Sequence, residues 1–398
     1  MALSLSIKAQ AVKPSSTLAI TAKAKELKDK GIDVVGFGAG EPDFNTPDNI
    51  CEAAVDAIHG GFTKYTPASG TVELKKAISE KFLKFNGLKY DPDQIVISNG
   101  GKHSLTNVFT AILNPGDEVI IPTPYWLSYP EIVKLADGVP VFIRAEKDQN
   151  YKVTAQQIDE ACTDKTKALI LNSPNNPTGM IYTREELEAI AEVVVKRDIY
   201  VVSDEIYEHL VYEGEAISIA SLNDEIYKRT ITCSGLSKSY SMTGWRIGYT
   251  GSSKEIAKLM SSVQSHQTSN PNSIAQKAAL EALVGPQNFV NSMNEEFNTR
   301  RNYMYDRLSK MKWISALKPQ GAFYLFIDIS QALEKEYKGN KIGDVNELAR
   351  ILIEEFKVAV IPCQDFGCPD HIRLSYAISL EQIEKGLDRI ESFLNKLV

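Results

Sequence analysis

Cysteine is scarce in this chain, basic charge is not in excess, and no hydrophobic run is long. Each absence removes a class of function. The five cysteines, Cys51, Cys162, Cys233, Cys363 and Cys368, are odd in number and contain no C-x-x-C pair. That pattern fits reduced thiols in a cytoplasmic setting rather than a disulfide framework. The nearest pair, Cys363 and Cys368, is spaced too widely for a zinc knuckle, and the five histidines form no H-x-x-x-H motif. No protein-bound metal is expected. Forty-four Lys+Arg against 51 Asp+Glu leave a net charge of −7, so neither nucleic acid nor a membrane surface is an expected partner. Cationic chemistry must sit in a local pocket. No apolar run approaches the ~18 residues of a membrane span. The start, Met1-Ala-Leu-Ser-Leu-Ser-Ile-Lys8, has no basic segment ahead of its apolar residues and does not read as a signal peptide.

What remains is an ordinary globular composition. The 398 residues, 43% hydrophobic and 24% charged, suffice for roughly two domains. Helical patterns over Asp48–His59, Val72–Asn86, Lys102–Leu113, Arg184–Arg197 and Ile274–Leu283 alternate with short apolar, β-branched runs. Those runs are Gln94–Ser98, Glu118–Ile121, Ala168–Leu171, Tyr200–Ser203 and Thr230–Thr232. The alternation predicts an α/β fold with a mostly parallel central sheet sandwiched by helices. Beyond about residue 290 the pattern changes to a charged helix at Met293–Met311, then strands at Gly321–Asp328, Val358–Ile361 and His371–Tyr376. A large domain is expected over 48–288 and a smaller α+β domain over 289–398, with the segment 1–47 packing on the smaller one.

Two familiar glycine motifs fail. Gly36-Phe-Gly-Ala-Gly40 places its third glycine one position early for a dinucleotide loop, and Glu41-Pro42 interrupts the helix that should come next. Gly101-Lys102 resembles the end of a phosphate-binding P-loop, but Val96 stands where that motif needs glycine and His103 where it needs Ser or Thr.

The chemistry lies just past the end of each core strand, because parallel α/β sheets bind ligands at the carboxyl ends of their strands. After Gln94–Ser98, Asn99-Gly-Gly-Lys102 opens a helix whose free N–H groups suit an anion such as phosphate. After Glu118–Ile121, Pro122-Thr-Pro-Tyr-Trp126 offers an aromatic plate. After Ala168–Leu171 comes the dense Asx and proline turn Asn172-Ser-Pro-Asn-Asn176-Pro-Thr-Gly179. After Tyr200–Ser203, Asp204-Glu-Ile-Tyr207 places a carboxylate at a strand end, where burial calls for a cationic partner. After Thr230–Thr232 comes Ser234-Gly-Leu-Ser-Lys238, then Thr243-Gly-Trp-Arg246. Lys238 lies among small residues rather than on a charged helix face. A lysine amine becomes nucleophilic only when burial or nearby cations depress its pKa. An amine, a carboxylate, a phenol, an amide, an aromatic plate, an anion cradle and an arginine together match what pyridoxal phosphate requires of a protein.

These motifs resemble the class I aminotransferases of the fold-type-I pyridoxal-phosphate enzymes, and within them the bacterial-type aspartate aminotransferases. The resemblance runs from Val12-Lys-Pro-Ser through Gly40-Glu-Pro-Asp-Phe, Lys64-Tyr-Thr-Pro, Gly100-Gly-Lys, Pro124-Tyr-Trp, Asn176-Pro-Thr-Gly, Ser203-Asp-Glu-Ile-Tyr and Ser237-Lys to Arg373-Leu-Ser-Tyr. It implies a Schiff-base and proton-shuttling role for Lys238, and a ring-nitrogen partner in Asp204. It implies ring-oxygen contacts from Asn176 and Tyr207, and stacking by Trp126. Gly101, Lys102, Arg246 and either Ser234 or Ser237 would hold the phosphate, helped by Tyr65 from a second subunit. Gly40 and Arg373 would take the substrate α-carboxylate, Arg373 as a bidentate fork. Trp126 and Asn176 would line the substrate site as well.

Two departures bear on specificity. Many relatives carry serine three residues before the lysine, where this chain has Gly235. Animal-type aspartate enzymes carry an arginine four residues before Ser-Asn-Pro, where this chain has Ser265. In the bacterial-type subgroup a lysine after Gly-Gly takes the distal carboxylate, and Lys102 fits. Lys13 matches a lysine linked to prephenate use in some relatives. The resemblance therefore implies a homodimeric enzyme with shared active sites, acting on L-aspartate and 2-oxoglutarate by ping-pong kinetics. The alternatives are a sister transaminase for prephenate, aromatic or alanine substrates, a carbon–sulfur lyase, and a non-catalytic pyridoxal-phosphate-binding regulator.

Overall fold

A computed structural model describes residues 3–14 and 16–398 of the chain. Met1, Ala2 and Ser15, the last residue of Val12-Lys-Pro-Ser, lie outside the described residues. A seven-stranded sheet occupies the middle of the sequence. Its spatial order is Ile95–Ser98, Gly248–Gly251, Thr230–Gly235, Tyr200–Asp204, Thr166–Asn172, Glu118–Thr123 and Val139–Arg144. Every strand runs parallel except Gly248–Gly251, which is antiparallel to both neighbours. The carboxyl ends at Ser98, Thr123, Asn172, Asp204 and Gly235 therefore share one edge, and the start of the antiparallel strand meets them there.

The apolar runs alternate which face each residue serves. Val96, Val119, Ile170 and Val202 pack under the helices Gly101–Ile112 and Lys254–Gln267. Ile120, Leu169, Leu171 and Val201 pack under the helix Arg184–Arg197. A strand covered on both faces has no side left for polar residues, which is why these segments read as unbroken apolar runs. Each fully buried Val or Ile contributes about 1.5–3 kcal/mol relative to exposure. The Arg184–Arg197 helix shows its start in the sequence: Thr183 caps it and Glu186 completes the reciprocal pair.

A separate four-stranded antiparallel sheet runs Ile361–Pro362, His371–Ser375, Tyr324–Asp328 and Ser315–Ala316. The helices Asn288–Leu308, Val345–Glu355 and Leu380–Leu394 share one apolar cluster with it. The single strand expected over Val358–Ile361 is two short ones, because the chain changes partner at Val360. Val358–Ala359 pairs in parallel with Val35–Gly36, and Ile361–Pro362 pairs with the strand that carries Arg373. Gly36-Phe-Gly-Ala-Gly40 thus leaves a strand tied to the C-terminal part of the chain and heads for the central sheet.

Candidate active site

The carboxyl edge of the large sheet forms one wall of a cavity of about 740 Å³, and Gly36, residues 38–41, Tyr324 and Arg373 form another. Almost every predicted site residue lines it: Gly40, Gly101, Lys102, Trp126, Asn176, Asp204, Tyr207, Ser234, Ser237, Lys238, Arg246 and Arg373. Tyr65 and Lys13 do not. Tyr65 is 89% exposed and lies outside this chain's cavity wall. Lys13 is exposed, and its backbone N–H donates to Glu131 at 3.2 Å.

Lys238 comes after the strand Thr230–Gly235, and its Nζ donates to the Gly40 carbonyl. Burial, assisted by the Arg373 and Arg246 charges and opposed by Glu41, brings its pKa down to about 8. Roughly a tenth of the amine is therefore neutral at pH 7, far more than a solvated lysine offers.

Asp204 ends its strand in register with Asn172 on one side and Cys233 on the other. The expected cationic partner is not what the structure shows. The carboxylate accepts from the Tyr129 hydroxyl at 2.6 Å and from the Ile206 N–H at 3.2 Å. Burial raises its pKa above the ordinary aspartate value against those two donors and the Lys238 charge. Among the described residues no cation lies within ion-pairing distance of it, and the two neutral donors are its hydrogen-bond partners. Tyr129 was invisible to strand-end reading, because it lies on the helix Ser128–Leu135, three residues beyond Trp126.

The asparagine-rich turn positions its amides by local bonding. Asn172 donates to the Asp204 carbonyl at 2.9 Å and accepts from the Asn176 N–H at 2.8 Å. The Asn176 side-chain oxygen then accepts from Arg373 Nη1 at 2.9 Å, and its nitrogen approaches the Tyr207 hydroxyl at 3.5 Å. Tyr207 shares a further hydrogen bond of 2.9 Å with Tyr324, and burial holds its phenol well above the usual range. Arg373 is 2% exposed, stacked 4.2 Å from the Tyr324 ring centre. Its Nη2 reaches the Gly38 carbonyl at 3.5 Å, while its Nε has no partner. A buried, unpartnered guanidinium donor is costly unless a ligand completes it.

At the opposite end, Gly100 caps the helix Gly101–Ile112 with φ of +88°. That φ is strained for any residue but glycine, and a side chain there would also press on the Arg246 guanidinium. Arg246 has φ of +58°, an unfavourable value for arginine, and donates to the Thr243 carbonyl at 2.9 Å. Lys102 extends along the Trp126 ring, 5.0 Å from its centre, and burial followed by the Arg246 charge lowers its pKa. The two serines differ. Ser234, though it lines the cavity, donates its hydroxyl to buried Glu208 at 2.6 Å. The Ser237 hydroxyl remains available to the cavity.

Comparison with known proteins agrees with this geometry. The family described as aminotransferase class I and II matches residues 32–390. The chain belongs to that family. It is 54% identical to the aspartate aminotransferase of Bacillus sp. (strain YM-2) over 96% of each chain. It is 49% identical to the aspartate/prephenate aminotransferase of Cereibacter sphaeroides, again over 96% of each. The crystal structure of the aspartate aminotransferase from Rhizobium meliloti superposes with a TM-score of 0.96 at 40% identity, covering 100% of both chains. The fold is therefore fold type I, and the chain is an aminotransferase.

Proposed function

We propose that this chain is an aspartate aminotransferase that holds pyridoxal phosphate and passes the amino group of L-aspartate to 2-oxoglutarate by a ping-pong cycle. The residues fit the cofactor. Asp204 is a buried carboxyl with two neutral donors and room for a cation, which suits a protonated ring nitrogen. The N-terminus of Gly101–Ile112, Arg246 and Ser237 make an anion cradle, with Ser237 rather than Ser234 as its hydroxyl. When bound, the cofactor supplies an electron sink for the bond to hydrogen at the substrate α-carbon.

The protein's own part is set by its geometry. Lys238 is the amine that would hold the cofactor and, once released, carry the proton at the α-carbon. Its pKa of about 8 leaves it able both to accept and to give that proton. Asn176 and Tyr207 would donate to the ring oxygen, and Trp126 would cover one ring face. The observation that carries the substrate reading is Arg373, with its planar fork buried and its Nε unpartnered beside Asn176 and residues 38–40. A substrate α-carboxylate completes that donor set, with charge-assisted hydrogen bonds worth about 1.5–3 kcal/mol each. Lys102, whose Nζ lies 5.0 Å from the Trp126 ring centre, would take the distal carboxylate.

The exposed Tyr65 supports a homodimer in which each subunit lends this phenol to its partner's phosphate site. Five free thiols support a cytoplasmic setting. No helix among the described residues is long and apolar enough to cross a membrane. Aspartate/prephenate relatives support prephenate as a second acceptor to be tried.

The test is an absorbance titration of the cofactor-loaded protein with L-aspartate and no 2-oxo acid. The cofactor band should convert to the amine form, and 2-oxoglutarate should restore it. A band that ignores aspartate but responds to alanine or tyrosine would replace the aspartate reading with a sister transaminase. Lys238→Ala should lose all turnover and keep its fold.

A further inference from the structure

The chain carries a net charge of −7, yet its cavity is walled by six cations, Lys25, Lys28, Lys102, Lys238, Arg246 and Arg373, against only Glu41 and Asp204. Four of the six have a place in the proposed chemistry. Lys25 and Lys28 have none. Both stand on the helix Ser16–Asp29, one turn apart, on the face that also turns Thr21 and Ala24 toward the cavity. Their neighbours Lys23, on the same helix, and Lys30, just past its end, are neutralised: Glu26 pairs with Lys23 at 3.2 Å and with Lys30 at 2.5 Å. Lys25 and Lys28 are exposed and, among the described residues, form no ion pair. The helix thus keeps its paired lysine on the outer face and its two unpaired lysines at the mouth of the cleft, while Asp29, also without an ion pair among the described residues, does not line the cavity.

We infer that Lys25 and Lys28 are specificity-determining residues that draw anionic substrates into the cleft before Arg373 engages them. This rests on the proposed use of dicarboxylic substrates. A cleft lined by one sign of charge raises the local concentration of an oppositely charged ligand, and salt screens the effect over a Debye length of ~8–10 Å. The benefit must scale with substrate charge. The 2-oxo diacid is a dianion, aspartate a monoanion with its ammonium group, and alanine a zwitterion. The two lysines therefore favour diacids over neutral amino acids without touching the reacting atoms.

The test compares Lys25→Gln/Lys28→Gln with Lys23→Gln/Lys30→Gln, which removes the same formal charge from the outer face. For each cofactor-loaded protein, kcat/KM is measured for 2-oxoglutarate, aspartate and alanine across a range of salt. At low salt the first variant should lose about tenfold for 2-oxoglutarate, about threefold for aspartate and nothing for alanine, with the losses vanishing at high salt. The outer-face variant should change little. Equal losses for all three substrates, or losses that salt does not alter, would overturn the inference in favour of a structural role. No loss for any substrate would overturn it too. If the unsubstituted protein itself fails on diacids, the aspartate reading has failed instead.

Discussion

Arg373 Nη1 donates to the side-chain oxygen of Asn176 at 2.9 Å, joining residues 197 positions apart in the chain. One belongs to a strand of the smaller sheet, the other to the turn after Thr166–Asn172. The bond orients the guanidinium, and it also leaves the Asn176 amide nitrogen pointing to Tyr207. In the proposed reading, the same side chain would thereby serve both substrate and cofactor recognition.

Arg373→Lys keeps the charge but removes the planar fork and its bond to Asn176. We expect kcat/KM for aspartate to fall about 10- to 100-fold, the equivalent of one or more charge-assisted hydrogen bonds. Steady-state kinetics with both substrates, alongside the melting temperature, check this. An unchanged kcat/KM would remove Arg373 from the carboxylate site.

Tyr129→Phe takes from Asp204 its shortest hydrogen bond, 2.6 Å from the phenol. Burial already works against the charged form of Asp204, so losing this donor raises its pKa further. The expected result is an approximately tenfold loss in the aspartate half-reaction, with weaker cofactor retention on dialysis. Full activity would mean that the Ile206 N–H alone suffices.

Lys238 titrates near 8 by reason of burial and the nearby arginines. The rate at which cofactor-free protein takes up pyridoxal phosphate should therefore climb with pH and level off just above about 8. An ordinary lysine would keep climbing toward roughly 10.4. Stopped-flow absorbance across that range distinguishes the two.

Behind the site, Glu205 accepts from Ser203 at 2.8 Å and Ser218 at 2.6 Å, while Glu208 pairs with buried Lys81. Burial and the Glu208 charge raise the Glu205 pKa to about 7 from an ordinary 4.5. The folded protein holds this proton where the unfolded chain has lost it, so stability falls as pH rises from about 4.5 through about 7. Glu205→Gln keeps a neutral group there. Its stability relative to the unsubstituted protein should rise between about pH 5 and pH 8 by up to roughly 3 kcal/mol. Urea unfolding at several pH values tests it, and a flat difference would count against a protonated Glu205.

The chemistry-bearing residues were legible because parallel strands leave a readable signature. Asp204, Lys238 and Asn176 each come after an apolar, β-branched run, and fold physics sends all such positions to one edge. The same logic missed Tyr129, which reaches Asp204 from a short helix, and Tyr324, which lies inside a strand of the other sheet. Neither has a local pattern that differs from ordinary core. The antiparallel strand Gly248–Gly251, only four residues with two glycines, was equally silent.

The sequence alone determined the parallel strands of the large sheet and most helices around them, the edge on which the chemistry gathers, and the kinds of group found there. These arise from local periodicity and turn chemistry, which act over a few residues. Only the tertiary structure decided that the Ser234 hydroxyl is taken by Glu208, what bonds Asp204, and that Lys25 and Lys28 line the cavity while Lys23 and Lys30 pair outside. Those outcomes depend on side chains brought together from distant parts of the chain, where burial and charge set the partner and sequence spacing carries no signal.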